Sequence, residues 1–237
     1  MLSAVDSCVG GKTALNFRQT INAVGTYHHP ICIFIDTGLL NDLPRRELSS
    51  GFGEIIKYAA LGNSYIRSSI DNTDSVERLD LAALIAHSLR EKERFVRGDI
   101  RESADRLSLN FGHTIGHAIE FATVYDGEET LRHGEGVALG MVAIFSICVS
   151  LGFLKKDDLL WLKGVLTKCG LPCLFEARKV GMTVQDLRDQ VNLLCFKDKK
   201  RTSKFLRLVL LDGIGNPIIY KTDDRGLISQ GIQEVIC

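Results

Sequence analysis

The sequence predicts a mainly α-helical chain with a short N-terminal strand and a C-terminal β-ribbon, on three observations. From about residue 40 to 195 apolar residues recur at helical spacing, as in Leu81, Ile85, Leu89 and Val96. Start and stop signals bracket several of these stretches. Asp157-Asp158 open one that closes at Gly170 with Pro172 beyond it, and Thr183 with Asp186 makes a capping box for another. Runs that read as strands lie only toward the two ends of the chain.

In chain order, residues 31–37 (ICIFIDT) read as a β-branched strand running into an Asp-Thr-Gly turn. Ser49-Ser50 precede a helix start at Gly51-Phe52-Gly53-Glu54. Residues 136–154 form a run of nineteen without a charge, long enough to span a membrane. Glycines, Ser146, Cys148 and Ser150 dilute that run and no second one exists, so a core helix buried on every side is expected instead. Near the end, 205–211 (FLRLVLL), a turn over 212–217 and the segment 217–220 read as a β-hairpin. There is no internal repeat.

Composition narrows the class of function. The 237 residues are 45% hydrophobic, enough for a sizeable core, and only four are proline, which argues against a disordered chain. The 29 basic and 29 acidic residues cancel, whereas a nucleic-acid partner calls for a basic surplus. Seven cysteines lie scattered without a CxxC pair, and the first residues carry neither a basic region nor a hydrophobic run. Reduced, buried thiols of a cytoplasmic protein are therefore expected, with no membrane partner.

The richest segment is 106–120, RLSLNFGHTIGHAIE. His113 and His117 stand four apart, so on a helix they share one face and converge on one ligand or ion; the alternative is a pair of surface histidines. Thr114 follows the first histidine where a protease-type HExxH needs glutamate, which excludes that hydrolysis. His133 supplies a third imidazole, and Glu54 with Lys57 projects an acid and a base together from another helix. A Glu-His-His set from three segments is a common holder of catalytic zinc, so zinc or another borderline divalent ion is the first metal expected.

Lys92 falls on the apolar stripe of its own helix, three residues after Leu89 and seven after Ile85. It either snorkels at the helix edge or points a cation into a cleft to meet an anion. Arg106 and Asn110, one turn apart, are placed to serve the same anion. Asp6 stands where a P-loop needs its first glycine, which excludes that loop, and Gly10-Gly11-Lys12 reads as a candidate phosphate cradle of another kind. The charge run 198–201 is either a solvated face or a flap over a phosphate. Gly134, Gly136 and Gly140 space as GxGxxxG, one residue too long for a dinucleotide fingerprint.

These motifs together resemble 3-dehydroquinate synthase: VDSCVGGKT at 5–13, LPRREL at 43–48, GFGEIIKYA at 51–59, RLSLNFGHTIGHAIE at 106–120, HGEGVALGM at 133–141 and DKK at 198–200. The resemblance covers essentially the whole chain. It implies the helical metal- and substrate-binding domain of the dehydroquinate synthase-like fold over 41–237, with 1–40 a remnant of the nucleotide-binding domain. It also implies a zinc- and NAD-dependent lyase of the shikimate pathway, in a cytoplasmic homodimer. Such enzymes turn 3-deoxy-arabino-heptulosonate 7-phosphate, a small phosphorylated sugar acid, into 3-dehydroquinate and phosphate. NAD transiently oxidises a carbinol, phosphate leaves, the hydride returns, the ring opens and an aldol step closes the carbocycle.

Carried over by motif, Glu54, His113 and His133 hold zinc, and Asp6, Lys57 and His117 are catalytic, the first two on substrate hydroxyls. Lys92 and Arg106 pair with the substrate carboxylate, while Lys12, Asn22, Asn110, His117 and Lys200 surround the phosphate. The chain departs from the family pattern at Thr20-Ile21-Asn22, where Gly-Lys-Asn is usual, and in extra residues at 124–129. The chain also begins beyond the family's Rossmann-like NAD domain. Two alternatives stay open: a secondary-metabolism cyclase of 2-deoxy-scyllo-inosose or valiolone type, and a non-catalytic metal-binding remnant.

Overall fold

The computed structural model describes residues 1–17, 20–97, 99, 105–197 and 205–237, without the side chains of 16 and 20–22. In order, these residues form β1 (Lys12–Phe17), β2 (Thr20–Tyr27), α1 (Arg45–Ala60), α2 (Ser64–Asp71), α3 (Leu81–Val96), α4 (His113–Ala122), α5 (His133–Ser150), α6 (Lys156–Lys168), α7 (Val184–Cys195), β3 (Leu206–Leu211), β4 (Pro217–Thr222) and α8 (Arg225–Gln233). Short helical turns at Ser3–Ser7, Thr37–Asp42, Val76–Arg78, Asp105–Asn110 and Ala177–Val180 join them.

Helix α5 is the axis of the molecule. It is apolar on every side because it is surrounded on every side, by α1, α4, α6, α8 and β3. Its residues Val137–Cys148 are buried apart from Ser146, so the uncharged run forms the protein core. Burying each large apolar side chain there contributes about 1.5–3 kcal/mol. Close approach of the helices depends on glycine. A Cβ on Gly134 would stand 1.8 Å from the Ser50 carbonyl oxygen of α1, and one on Gly140 would stand 1.9 Å from the Gly112 carbonyl oxygen at the head of α4. The GxGxxxG spacing thus belongs to helix packing.

The helix signals place most elements well. Leu81–Val96 is helical as the periodicity predicts, and Asp80 caps it by accepting from the Ala83 N–H at 3.0 Å. Gly170 ends α6 region turns in the left-handed conformation, φ +72°. Thr183 Oγ1 accepts from the Asp186 N–H at 3.1 Å at the head of α7. Replacing Thr183 with alanine is expected to lower the unfolding free energy by about 1 kcal/mol, read from urea denaturation. The start of α1 differs: the helix begins at Arg45 behind Pro44, and Ser50 lies inside it. Ser50 Oγ is used in tertiary structure, accepting from the Gly134 N–H at 3.0 Å, which removes it as a cap.

The C-terminal ribbon forms as expected, β3 pairing antiparallel with β4 from Leu206↔Thr222 to Leu211↔Pro217. The strand expected over 31–37 does not form. That segment is irregular, has no ladder partner among the described residues and runs into the helical turn at Thr37, and Ile31 and Phe34 are exposed. A β-branched run lacking a hydrogen-bonded neighbour remains coil. The N-terminal β content lies instead in the antiparallel β1–β2 pair, with Lys12↔Tyr27 at one end and an irregularity between Leu15 and Phe17. All seven cysteines are unpaired; Cys148, Cys169 and Cys195 are buried as expected, but Cys32 and Cys237 are exposed.

Candidate active site

Four helices and the N-terminal turn meet around a cavity of about 550 Å³. Helix α1 brings Glu54 and Lys57, three residues apart on its buried face. Helix α4 begins behind Gly112, which takes φ +77°, and presents His113 and His117. His133 stands at the first position of α5. Lys92 comes from α3, Arg106 and Asn110 from the turn before α4, Asp6 from the first turn of the chain and Lys12 from β1. Asp6, Lys12, Lys57, Lys92, Arg106, Asn110, His113, His117 and His133 all line the cavity. Asn22 sits on β2 with its side chain outside the described atoms, and Lys200 and the charge run 198–201 lie outside the described residues.

Glu54 is fully buried beneath the histidines. Its Oε1 lies 3.2 Å from His113 Nε2 and 3.2 Å from His133 Nε2, while its Oε2 pairs with Lys57 Nζ at 2.5 Å. Burial alone would raise this carboxyl, but the Lys57 ammonium and His113 hold it well below the usual carboxylate range. Lys57 Nζ also donates to the Leu109 carbonyl at 3.1 Å. His117 is also lowered, to about 3, by burial and by the neighbouring imidazoles, which leaves this ring neutral at pH 7.

The donors fit a divalent ion. The His113 ring donates from Nδ1 to the Phe111 carbonyl at 3.0 Å, which directs Nε2 toward Glu54 Oε1. In a neutral ring that nitrogen carries a lone pair, so two acceptors face each other and the place calls for positive charge. His133 makes the same demand: burial lowers its pKa, yet the adjacent Glu120 and Glu54 carboxylates outweigh it and raise the ring to about 10. Nitrogens of His113, His117 and His133 also lie within 4.8 Å of one another. Two or three imidazoles and one carboxylate are a donor set suited to zinc or a similar ion. By that spacing His117 is a candidate third imidazole ligand, although only His113 and His133 lie against Glu54.

The cationic side is equally built. Lys92 is buried, its Nζ 3.0 Å from Asp6 Oδ2 and 2.6 Å from the Asp6 carbonyl oxygen, so it points inward rather than snorkelling. Asp6 also accepts from the Tyr58 hydroxyl at 2.6 Å. Burial favours the neutral acid at Asp6, but Lys57 and Lys92 outweigh it and lower the pKa. Arg106, 2% exposed, donates to the Gly10 carbonyl at 2.9 Å, and a Cβ on Gly10 would stand 2.7 Å from its guanidinium. The Gly10-Gly11 turn, with φ +106° and +69°, therefore seats an arginine. The extra residues at 124–129 form a tight turn bridged between Tyr125 and Glu128, and Val124 and Glu129 line the cavity.

Two neighbours of the site were not singled out from sequence. Tyr58 sits beside Lys57 in an apolar run and reads as core. Glu120 lies three residues after His117, and that spacing was the available signal for its place on the same helix face.

Comparison with known proteins gives one family. Residues 1–50 match the model of the 3-dehydroquinate synthase N-terminal domain and residues 51–201 that of the C-terminal domain. A 3-dehydroquinate synthase of Xylella fastidiosa (strain M23) is 38% identical over 236 residues, covering 97% of this chain and 62% of the relative. One from Acinetobacter baumannii (strain AYE) is 36% identical, covering 98% and 62%. Among solved structures, a 2-deoxy-scyllo-inosose synthase complexed with carbaglucose-6-phosphate, NAD+ and Co2+ superposes with TM-score 0.81 at 27% identity, covering 99% of this chain and 64% of that one. A 2-epi-5-epi-valiolone synthase from Streptomyces hygroscopicus subsp. jinggangensis 5008, with NAD+ and Zn2+ bound, gives 0.77 at 22% identity over 98% and 63%, a likeness of fold. The chain spans less than two-thirds of the length of the curated relatives it matches.

Proposed function

We propose, from the premise that this chain belongs to the 3-dehydroquinate synthase family, that it carries the metal- and substrate-binding part of an enzyme converting 3-deoxy-arabino-heptulosonate 7-phosphate into 3-dehydroquinate and phosphate. The observation that carries this reading is the meeting, in one cavity, of His113 and His133, both backed by buried Glu54, with Lys12, Lys57, Lys92 and Arg106. In a neutral chain, that clustering of cations suits one small polyanion.

In this reading Glu54, His113 and His133 hold the divalent ion. Once bound, the ion supplies Lewis acidity toward a substrate hydroxyl and NAD+ supplies the hydride acceptor. Lys57 and Asp6 bind and orient substrate hydroxyls, with Tyr58 fixing the Asp6 carboxylate. Lys92 and Arg106 receive the carboxylate, the arginine by its planar fork. Lys12, Asn22, Asn110, His117 and Lys200 surround the phosphate, and neutral His117 offers it a hydrogen bond without adding charge. The protein contributes mainly orientation, holding the leaving group against the carbon that loses its proton.

A second reading is a related cyclase whose sugar phosphate has no carboxylate. It draws on the likeness to the 2-deoxy-scyllo-inosose synthase and on Ile21, an uncharged residue beside the phosphate-side Asn22. Steady-state kinetics separate the two in a protein of family length that includes this sequence, supplied with zinc and NAD+. The first reading expects dehydroquinate and phosphate from the heptulosonate phosphate. It also expects Lys92→Ala to raise KM about tenfold or more, the weight of a charge-assisted hydrogen bond. Turnover only of sugar phosphates without a carboxylate, with KM indifferent to Lys92→Ala, supports the second. No product from either substrate overturns both.

A further inference from the structure

We infer that Glu120 is a positioning residue of the metal centre, holding His133 by its Nδ1–H so that Nε2 is presented to the ion. Counted from His113, residues 113, 117 and 120 fall on one face of α4, and all three line the cavity. Glu120 Oε1, a buried oxygen with no hydrogen-bond partner, lies in ion-pair contact 3.2 Å from His133 Nδ1, on the side of the ring opposite Glu54, and its Oε2 lies 4.0 Å from His117 Nε2. The ring of His133 is therefore spanned by two carboxylates, Glu54 at Nε2 and Glu120 at Nδ1.

The fold makes room for this contact. Gly136 stands one turn after His133 on α5, and a Cβ there would come 2.4 Å from Glu120 Oε1 and 2.5 Å from its Cγ. The glycine thus leaves open the space that the glutamate side chain occupies. His113 has its own orienting contact, Nδ1 to the Phe111 carbonyl at 3.0 Å, so each of the two ligand histidines is fixed through the nitrogen that faces away from Glu54. Groups that fix a ligand ring in this way tune affinity by about 10–100-fold when removed.

The inference rests on reading Glu54, His113 and His133 as ligands, and the test separates the two. Zinc affinity of the full chain is measured by competition with a chromophoric chelator, the Co2+-loaded visible spectrum is recorded, and thermal unfolding is followed in parallel. Glu120→Ala is expected to weaken zinc about 10–100-fold and to change the Co2+ ligand-field bands. Glu120→Gln, whose amide oxygen still accepts from Nδ1–H, should lose less and keep the bands. Gly136→Ala, which leaves Glu120 in the sequence but crowds it, should weaken zinc as well. Should Glu120→Ala not fold, Glu120→Gln and Gly136→Ala decide. Zinc affinity within twofold of wild type in every folded variant, with the Co2+ bands unchanged, overturns the inference alone. A wild-type chain that takes up neither ion overturns the ligand reading itself.

Discussion

Glu54→Gln is expected to weaken zinc binding by more than about 100-fold, beyond the effect of any outer residue, and to cost about 3 kcal/mol of stability. The reasoning starts from burial. Glu54 is a fully buried anion whose two oxygens are shared among Lys57, His113 and His133, so one charge serves three partners. Glutamine keeps the shape but removes the charge that lies against Lys57, whose distance to the Asp6 carboxylate is a longer 3.8 Å. His133→Ala separates the two effects, because His133 is partly exposed and does not pair with Lys57. It should lose zinc to a similar degree at a smaller cost in stability. Zinc titration and urea denaturation of the three proteins check this; a Glu54→Gln chain binding zinc within tenfold of wild type would be incompatible with it.

Gly140→Ala is expected to be among the most damaging single methyl additions in the molecule. Its Cβ would stand 1.9 Å from the Gly112 carbonyl oxygen and 2.7 Å from the Gly116 amide nitrogen. Both are backbone atoms, so no rotamer change relieves the clash and α4 must move away from α5. Overpacking of this kind costs about 3 kcal/mol or more. Because α4 carries His113 and His117, the same shift should loosen the metal centre, and zinc affinity should fall together with stability. Gly164→Ala in α6 is the control, since nothing lies within 4 Å of its Cβ. There helix propensity alone acts, and the change should be neutral or stabilising by up to about 1 kcal/mol. Equal unfolding midpoints for the two variants would contradict the packing argument.

What could be read from the sequence was the part governed by local rules. The period of α3, the cap at Thr183 and the turn between β3 and β4 are set by neighbours in the chain, and each falls where the pattern places it. The misplacements arise where tertiary partners decide. Ser50 has the chemistry of a cap yet bonds to Gly134, 84 residues away, and α1 begins six residues earlier, at Arg45 rather than Gly51. Residues 31–37 have strand composition but no ladder to join. At the site, the histidine spacing and the anomalous Lys92 were visible as oddities in helical patterns. Glu120 and Tyr58 were not, because a glutamate on a helix face and a tyrosine in an apolar run look ordinary until their partners, His133 and Asp6, are in place. The glycines 134, 136 and 140 show the same limit: their spacing is legible, but whether it serves a ligand or a neighbouring helix depends on what lies opposite.

The most direct test of the account is zinc K-edge X-ray absorption on the zinc-loaded chain. It predicts one ion with only nitrogen and oxygen neighbours at about 2.0–2.2 Å, imidazole scattering that diminishes in His133→Ala, and no sulfur. A sulfur shell at about 2.3 Å would place the ion on the cysteines, and would contradict the assignment of Glu54, His113 and His133.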